Sequence, residues 1–182
     1  MDSKSLVLAI CVLFSQCCRG RAASFTPIGD LPGGLDQSLV SDISSNGVVV
    51  VGVSSSDRFD RPGVSGFGSP FTWTIRNGIS FLVDPQGQTI AGEALGVSGD
   101  GTAAAGLFQN SNGKTEAFRW TVAGGFVGLG DLPGGQFHSW ATGISDDGSV
   151  VVGASHNQSP IGVGAFRWTE ATGMLPVGDL PG

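Results

Sequence analysis

The chain has 182 residues, of which 40 % are hydrophobic, 13 % are charged and 31 are glycine. This composition excludes a charge-rich disordered chain, and the many glycines favour short strands and tight turns over long helices. The formal net charge of −6 argues against a basic nucleic-acid-binding surface, so we expect no nucleic-acid partner.

Residues 1–23 are predicted to form a secretory signal peptide. Lys4 precedes an apolar run, Leu6–Phe14, which is too short to span a bilayer but suits the hydrophobic part of a signal sequence. Ala22 and Ala23 supply the small residues of a cleavage site. We therefore expect a secreted or cell-envelope protein, located in the periplasm or at the surface.

Cleavage at this site changes the chemistry of the chain. The three cysteines are Cys11, Cys17 and Cys18. All precede the cleavage site, so the mature chain would hold no disulfide and no thiolate metal site. Cleavage also removes three of nine basic and one of fifteen acidic residues, which leaves 6 against 14 and a net charge of −8. No apolar segment that follows is long enough for a transmembrane anchor.

We predict that residues 24–182 form a β-repeat domain, whose repeated unit carries a Gly-Asp-Leu-Pro-Gly corner, with Val-Asp-Pro-Gln-Gly as a degenerate copy. The corner aspartates are Asp30, Asp84, Asp131 and Asp179, at spacings of 54, 47 and 48 residues. Similarity at such a period is the pattern of a repeat architecture. We place the units at 30–83, 84–130 and 131–178, with the start of a fourth unit at 179–182.

Two further landmarks recur in each unit. A polar turn ending in glycine reads ISSNG at 43–47, VSGDG at 97–101 and ISDDG at 144–148. An aromatic pair follows, as FTW at 71–73, FRW at 118–120 and FRW at 166–168. Their constant order and similar spacing predict three copies of one structural unit.

The third unit predicts four short antiparallel strands. His138–Ser145 and Val150–Ser155 flank the Asp-Asp-Gly turn, which is a hairpin signal. Ala165–Ala171 places its phenylalanine and tryptophan on one face, and Met174–Leu180 ends at the proline that follows. Strands of the fourth type also recur at Phe25–Leu31, Ser80–Val83 and Phe126–Leu132.

Four antiparallel strands in a unit of about 48 residues are typical of a propeller blade. We therefore predict an all-β fold of tandem propeller-like blades, with the aromatic pairs packed between neighbouring blades. A β-solenoid is the alternative, although its coils are usually shorter. A closed propeller needs about four blades or more, so the predicted array is incomplete or open, and its exposed strand edges favour self-association.

The repeat resembles the HAF-type probable extracellular repeat of bacteria. The resemblance rests on GISDDGSVVVG at 143–153, on AFRW at 165–168 and on the GDLPGG corner, and it covers nearly all of residues 25–182. The first unit departs from the pattern at Asn46 and Thr72. The resemblance implies an exported or surface-located bacterial protein, and it brings no catalytic residue and no established activity.

Two groups of recurring aspartates are candidate sites. The turn group contains Asp100, Asp146 and Asp147. These are either calcium ligands or, as we favour, acceptors of local backbone bonds in the turns. The corner group contains Asp30, Asp131 and Asp179, which either line a pocket or, as we favour, accept backbone N–H groups between units. Arg119 and Arg167 either bind anionic glycans or, the favoured interpretation, pair with an aspartate of the same or the next blade.

Histidine and serine residues near the third unit are the remaining candidates. Ser139 and Ser155 lie close to His138 and His156 in sequence, but neither serine sits in a Gly-x-Ser-x-Gly nucleophile turn. Trp140 either stacks on a sugar, anchors an interface or packs in the core, and we favour core packing.

The sequence therefore predicts a non-catalytic scaffold or binding module whose partner is a protein or a glycan. It predicts no catalytic residue, no metal and no cofactor. The alternative is an enzyme on a propeller scaffold, a hydrolase or lyase acting on glycans. That alternative requires convergence of the residues that break the repeat pattern, Glu93, His138, Trp140 and His156.

Overall fold

The computed structural model describes residues 24–57, 68–157 and 162–178. The predicted signal peptide at 1–23 and the start of a fourth unit at 179–182 lie outside these ranges. Within them, twelve strands form three antiparallel sheets of four strands each. The prediction of an all-β fold built from four-stranded antiparallel units is confirmed.

Each sheet is a blade whose strands pair in sequence order. The first blade contains β1 (Gly33–Ile43), β2 (Val50–Ser56), β3 (Ser69–Thr74) and β4 (Gly78–Phe81). The second contains β5 (Gly92–Val97), β6 (Ala103–Gln109), β7 (Thr115–Thr121) and β8 (Gly125–Gly128). The third contains β9 (Gly134–Ile144), β10 (Val150–Asn157), β11 (Val163–Thr169) and β12 (Gly173–Pro176).

The blades follow one another with the same packing. Strand β5 contacts β1, β2 and β3, and β9 contacts β5, β6 and β7. The first strands therefore form the inner edge of the array, and the fourth strands form the outer edge. We call the side of a blade that faces the preceding blade its leading face, and the side that faces the following blade its trailing face.

The core lies between blades, where the sequence predicted the aromatic pairs to pack. Phe71, Phe118 and Phe166 are completely buried and lie on leading faces. Phe118 and Trp120 belong to one cluster with Val51 and Leu82 of the first blade. Phe166 and Trp168 belong to another with Ala105, Ala117 and Leu129 of the second. Burial of these apolar side chains is the main stabilising term in the part of the chain that the structure describes, which contains no cysteine.

Each first strand carries a β-bulge opposite a glycine of the second strand. These glycines are Gly52, Gly106 and Gly153. A Cβ atom at Gly153 would lie 2.1 Å from the carbonyl oxygen of Trp140, and the other two glycines have similar surroundings. Only glycine fits here, because the bulge turns a carbonyl group toward the neighbouring strand.

The prediction of a strand at Phe25–Leu31 is wrong. This segment has no regular structure, because none of the described strands pairs with it. It is held on the leading face of the first blade by serines. The amide of Leu31 donates to Ser54 Oγ at 3.0 Å, and Ser38 Oγ donates to the carbonyl oxygen of Gly29 at 2.8 Å.

Candidate functional site

The polar turn between the first and second strands is closed by its own side chains. In the third blade, Asp147 Oδ1 accepts a hydrogen bond from Ser145 Oγ at 2.5 Å and another from the amide of Ser149 at 3.0 Å. Gly148 follows at a φ of 69°, in the left-handed region that glycine tolerates best. The bond from Ser145, followed by those from Ser149, lowers the pKa of Asp147 to about 2.

The second blade repeats this turn with Asp100. Its Oδ1 accepts from the amide of Thr102 and from Ser98 Oγ, both at 2.9 Å. The hydrogen bond from Thr102 is the main reason why the pKa of Asp100 is below its usual value. In the first blade, Asn46 takes the same place with a neutral amide oxygen. Among the described residues, no three His, Asp or Glu side chains are grouped so that they could hold a metal ion.

The three turns also bond to one another at the inner edge. The amide of Asn46 donates to the carbonyl oxygen of Gly99 at 3.2 Å. The amide of Gly99 donates in turn to the carbonyl oxygen of Asp146 at 2.9 Å. Ser45 Oγ donates to Asp146 Oδ1 at 2.8 Å. The last bond joins the first blade directly to the third.

The corners between units are bonded by serines and also through corner aspartates. The amide of Leu132 donates to Ser155 Oγ at 2.9 Å, and Ser139 Oγ donates to the carbonyl oxygen of Gly130 at 2.5 Å. Both serines are completely buried, so neither is exposed as a nucleophile.

Asp131 accepts a hydrogen bond from the backbone of His138, as the sequence predicted, and Asp84 Oδ1 accepts one from the amide of Gln88 at 2.8 Å. Burial, together with the charge of Glu116, raises the pKa of Asp131.

Of the other corner aspartates, Asp179 lies outside the described residues, and Asp30 is exposed. Asp30 lines an open groove of about 690 Å³ together with Asp36, Leu39, Ser55 and Glu93. The groove runs where the first and second blades meet. Its lining combines carboxylate groups with apolar side chains.

Arg119 has a different partner from the aspartate that the sequence predicted. Its Nε donates to the carbonyl oxygen of Gly148 at 2.6 Å, in the turn of the next blade. Arg167 takes the corresponding place in the third blade and is exposed. Arg119 is therefore a latch, a side chain that bonds one blade to the turn of the following blade.

Three of the four residues that the enzyme interpretation requires lie together. The ring centroids of His138 and His156 are 4.8 Å apart and the rings are stacked, with Trp140 edge-on to His138 at 5.3 Å. Burial, and then the charge of His156, lowers the pKa of His138. Glu93 does not belong to this group: it holds on β5 the register position that Trp140 holds on β9.

The stacking decides what this group can do. Two imidazoles stacked face to face direct their ring nitrogens away from each other's nitrogens, so they do not form a proton relay with each other. They offer instead an aromatic surface on the trailing face of the third blade. Sequence reasoning did not place the three rings together, because their meeting depends on the register of β9 against β10.

The same trailing face exposes apolar side chains that the sequence did not identify. The exposed fraction is 43 % for Val152 and 63 % for Val177. The corresponding residues of the first blade, Val51 and Leu82, are 0 % and 1 % exposed, because the second blade covers them. The third blade thus presents, uncovered, the positions that join blades elsewhere in the array.

No protein-family model and no curated protein matches the chain. Among solved structures, the chain is similar to a protein described as TolB from Agrobacterium tumefaciens, with a TM-score of 0.53 and 16 % sequence identity. The match covers 83 % of this chain and 50 % of that one, so this chain spans half the length of the solved structure. Because TolB has a β-propeller fold, the match confirms propeller-like blades in an open array.

The described residues contain no helix that is both long and apolar enough to cross a membrane.

Proposed function

We propose that this chain is an exported, non-catalytic scaffold of the bacterial cell envelope, and that it binds a protein through the trailing face of its third blade. The observation that carries the proposal is the exposure of Val152 and Val177 at positions that are buried between blades in the rest of the array. Contiguous exposed apolar surface on a folded protein marks an interaction site.

The composition of this face favours a protein over a glycan as the partner. Besides the two valines, Val163 is 50 % exposed and Leu175 is 48 % exposed. These side chains supply apolar area and no hydrogen-bonding groups. Arg167, opposite Val152, supplies donors only, whereas sugar hydroxyl groups both donate and accept. The stacked histidines and Trp140 lie at the inner end of the face, where aromatic residues are typical of protein interfaces.

Three features support a role outside the cytoplasm and without catalysis. The predicted signal peptide, the likeness to the HAF-type repeat and the propeller fold each fit an envelope protein. The buried Ser139 and Ser155 are engaged at corners, and the histidines are stacked. The two serines and the two histidines thus have structural roles, which suits a scaffold that carries out no reaction.

Export is tested by fusing the full-length chain to alkaline phosphatase, which is active only outside the cytoplasm, in a Gram-negative host. We expect phosphatase activity from this fusion and none from a matched fusion that lacks residues 2–23. Equal activity from the two fusions, or activity from neither at equal expression, would overturn the proposed location.

Binding is tested in intact cells with a photo-cross-linking amino acid at Leu175, on the trailing face. The matched control carries it at Val122, which is 63 % exposed in the turn after β7. We expect a protein adduct from position 175 and none from position 122. The absence of an adduct at 175 would contradict a protein partner on this face.

A further inference from the structure

We propose that the partner is a second copy of this chain, whose first blade docks by its leading face on the trailing face of the third blade. This inference rests on the proposed function and names its partner. The two copies meet head to tail, so their contact repeats the blade-on-blade packing that already joins the three blades of one chain.

The two interfaces within the chain use the same positions. Between the first and second blades, Val51 and Leu82 pack in one cluster with Ala94 and Val97. Between the second and third blades, the corresponding residues belong to another cluster, namely Ala105 and Leu129 with Ala141 and Ile144. The strand registers place these residues at matching positions in each blade. The interface is thus part of the repeat.

The two faces that would form a third interface of this kind are both exposed in a single chain. On the trailing side, it consists of Val152 and Val177, which are 43 % and 63 % exposed. On the leading side, it consists of Val40 and Ile43, each 54 % exposed. Both halves of a third interface are therefore present and apolar, and each is the counterpart of residues that are buried elsewhere. A second copy supplies to each face the partner that the repeat pattern requires.

A polar contact points to the same docking. The latch of Arg119 reaches the carbonyl oxygen of Gly148, in the turn of the following blade. Arg167 holds the matching position on the third blade and is exposed. In the first blade, Gly47 holds the turn position that Gly148 holds in the third blade. Gly47 is also exposed. In the proposed contact, Arg167 of one copy donates to the carbonyl oxygen of Gly47 in the other.

One element must move before docking. Ile28 packs against the leading face of the first blade, where its place corresponds to that of Leu129 at the interface between the second and third blades. Val177 of a docked copy would take the same place, so Ile28 and Val177 compete for it. Phe25, three residues before Ile28, is 93 % exposed, and residues 24–27 are all exposed, so Ile28 is the residue of this segment whose packing must be given up. This segment acts as a removable cover.

Two such contacts can form at once between two copies. A twofold arrangement then joins the third blade of each copy to the first blade of the other and gives six blades, within the range of about four to eight that closed propellers have. If the rotation does not close, the same contact builds a longer series. In both cases the contact is the one between Val152 and Val40.

The test uses protein purified after expression of the full-length chain and measures mass by light scattering across a range of concentrations. We expect dimers or a longer series, and we expect Val152→Glu or Val40→Lys to weaken association at least about a hundredfold, because each buries an unpaired charge. The control, Val122→Glu, should leave the mass unchanged.

Mixing the two variants identifies the geometry. In the mixture, one contact is unaltered and the other pairs the glutamate introduced at position 152 with the lysine introduced at position 40, so we expect association to be restored. Failure of the mixture to associate would overturn the head-to-tail contact, and a monomer at every concentration would overturn self-docking altogether. An exported chain that is monomeric and still gives an adduct of another mass at position 175 would leave the proposed function standing without this partner.

Discussion

Arg119 Nε of the second blade lies 2.6 Å from the carbonyl oxygen of Gly148 in the third. The guanidinium group therefore crosses the interface from the third strand of one blade to the inner turn of the next. A hydrogen bond from a charged donor to a carbonyl oxygen is stronger than a hydrogen bond between two neutral groups.

Replacing Arg119 should weaken the junction between the second and third blades. We expect Arg119→Ala to lower the free energy of unfolding by about 1.5–3 kcal/mol, the usual size of a hydrogen bond from a charged group. Urea unfolding measures the change. Arg76→Ala, at an exposed arginine in a turn, is the control and should leave the unfolding midpoint unchanged; equal effects of the two changes would contradict the latch.

The glycine opposite each bulge should not tolerate a side chain. In Gly153→Ala, the new Cβ would lie 2.1 Å from the carbonyl oxygen of Trp140, so β9 and β10 must separate locally. We expect a loss of about 2 kcal/mol, typical of overpacking. In the control, Gly143→Ala, the nearest atom is 3.4 Å away, and the effect should stay within about 0.5 kcal/mol. Thermal unfolding of the two variants tests the difference.

The turn aspartate should make stability depend on pH in the acid range. The pKa of Asp147 falls from 3.8 to about 2 on folding. Its contribution is therefore fully present above the unfolded pKa and is lost as the pH falls from about 4 to about 2. Asp147→Asn keeps an acceptor, as Asn46 does in the first blade, and should reduce this acid sensitivity while preserving stability at pH 7.

Asp147→Ala separates the hydrogen bonds from the charge. It removes the acceptor, so we expect a lower melting temperature at pH 7 than for Asp147→Asn. Melting curves of both variants from pH 2 to pH 7 make the comparison. An asparagine variant that is as acid-sensitive as the parent chain would assign the effect to other carboxylates.

The stacked histidines should make the free energy of unfolding depend on pH between neutral and mildly acidic conditions. Because folding lowers the pKa of His138 below 6.5, the unfolded chain binds a proton more readily than the folded chain. Stability is then full above pH 6.5 and decreases as the pH falls below it. We expect His138→Gln, which places there the residue found at Gln37 in the first blade, to flatten the dependence. An unchanged slope of unfolding free energy between pH 7 and pH 5 would contradict this assignment.

The repeat made most of the fold predictable. The turn glycines, the alternation around Phe166 and the three copies of each landmark are local signals, and the strands follow them closely. The sequence of Phe25–Leu31 matches that of a fourth strand, but the segment forms no strand, because strand formation also needs a paired neighbouring strand. Local pattern and available partner are separate requirements.

The site was less predictable because it depends on register and on neighbours. Nothing in the order of residues shows that His138 and His156 stack, since this requires β9 and β10 to pair in one particular register. Likewise, Val152 has the same sequence surroundings as a buried repeat valine. Its exposure is a property of its position in the array.

The bond between Ser45 and Asp146 has a consequence for how the molecule unfolds. In a linear array of repeats, each unit senses only its immediate neighbours, and the ends can fray independently. Here the first and third blades also touch at their inner turns, so melting of either one removes support from the other. Denaturation should therefore be more nearly all-or-none than a chain of three weakly coupled modules would be.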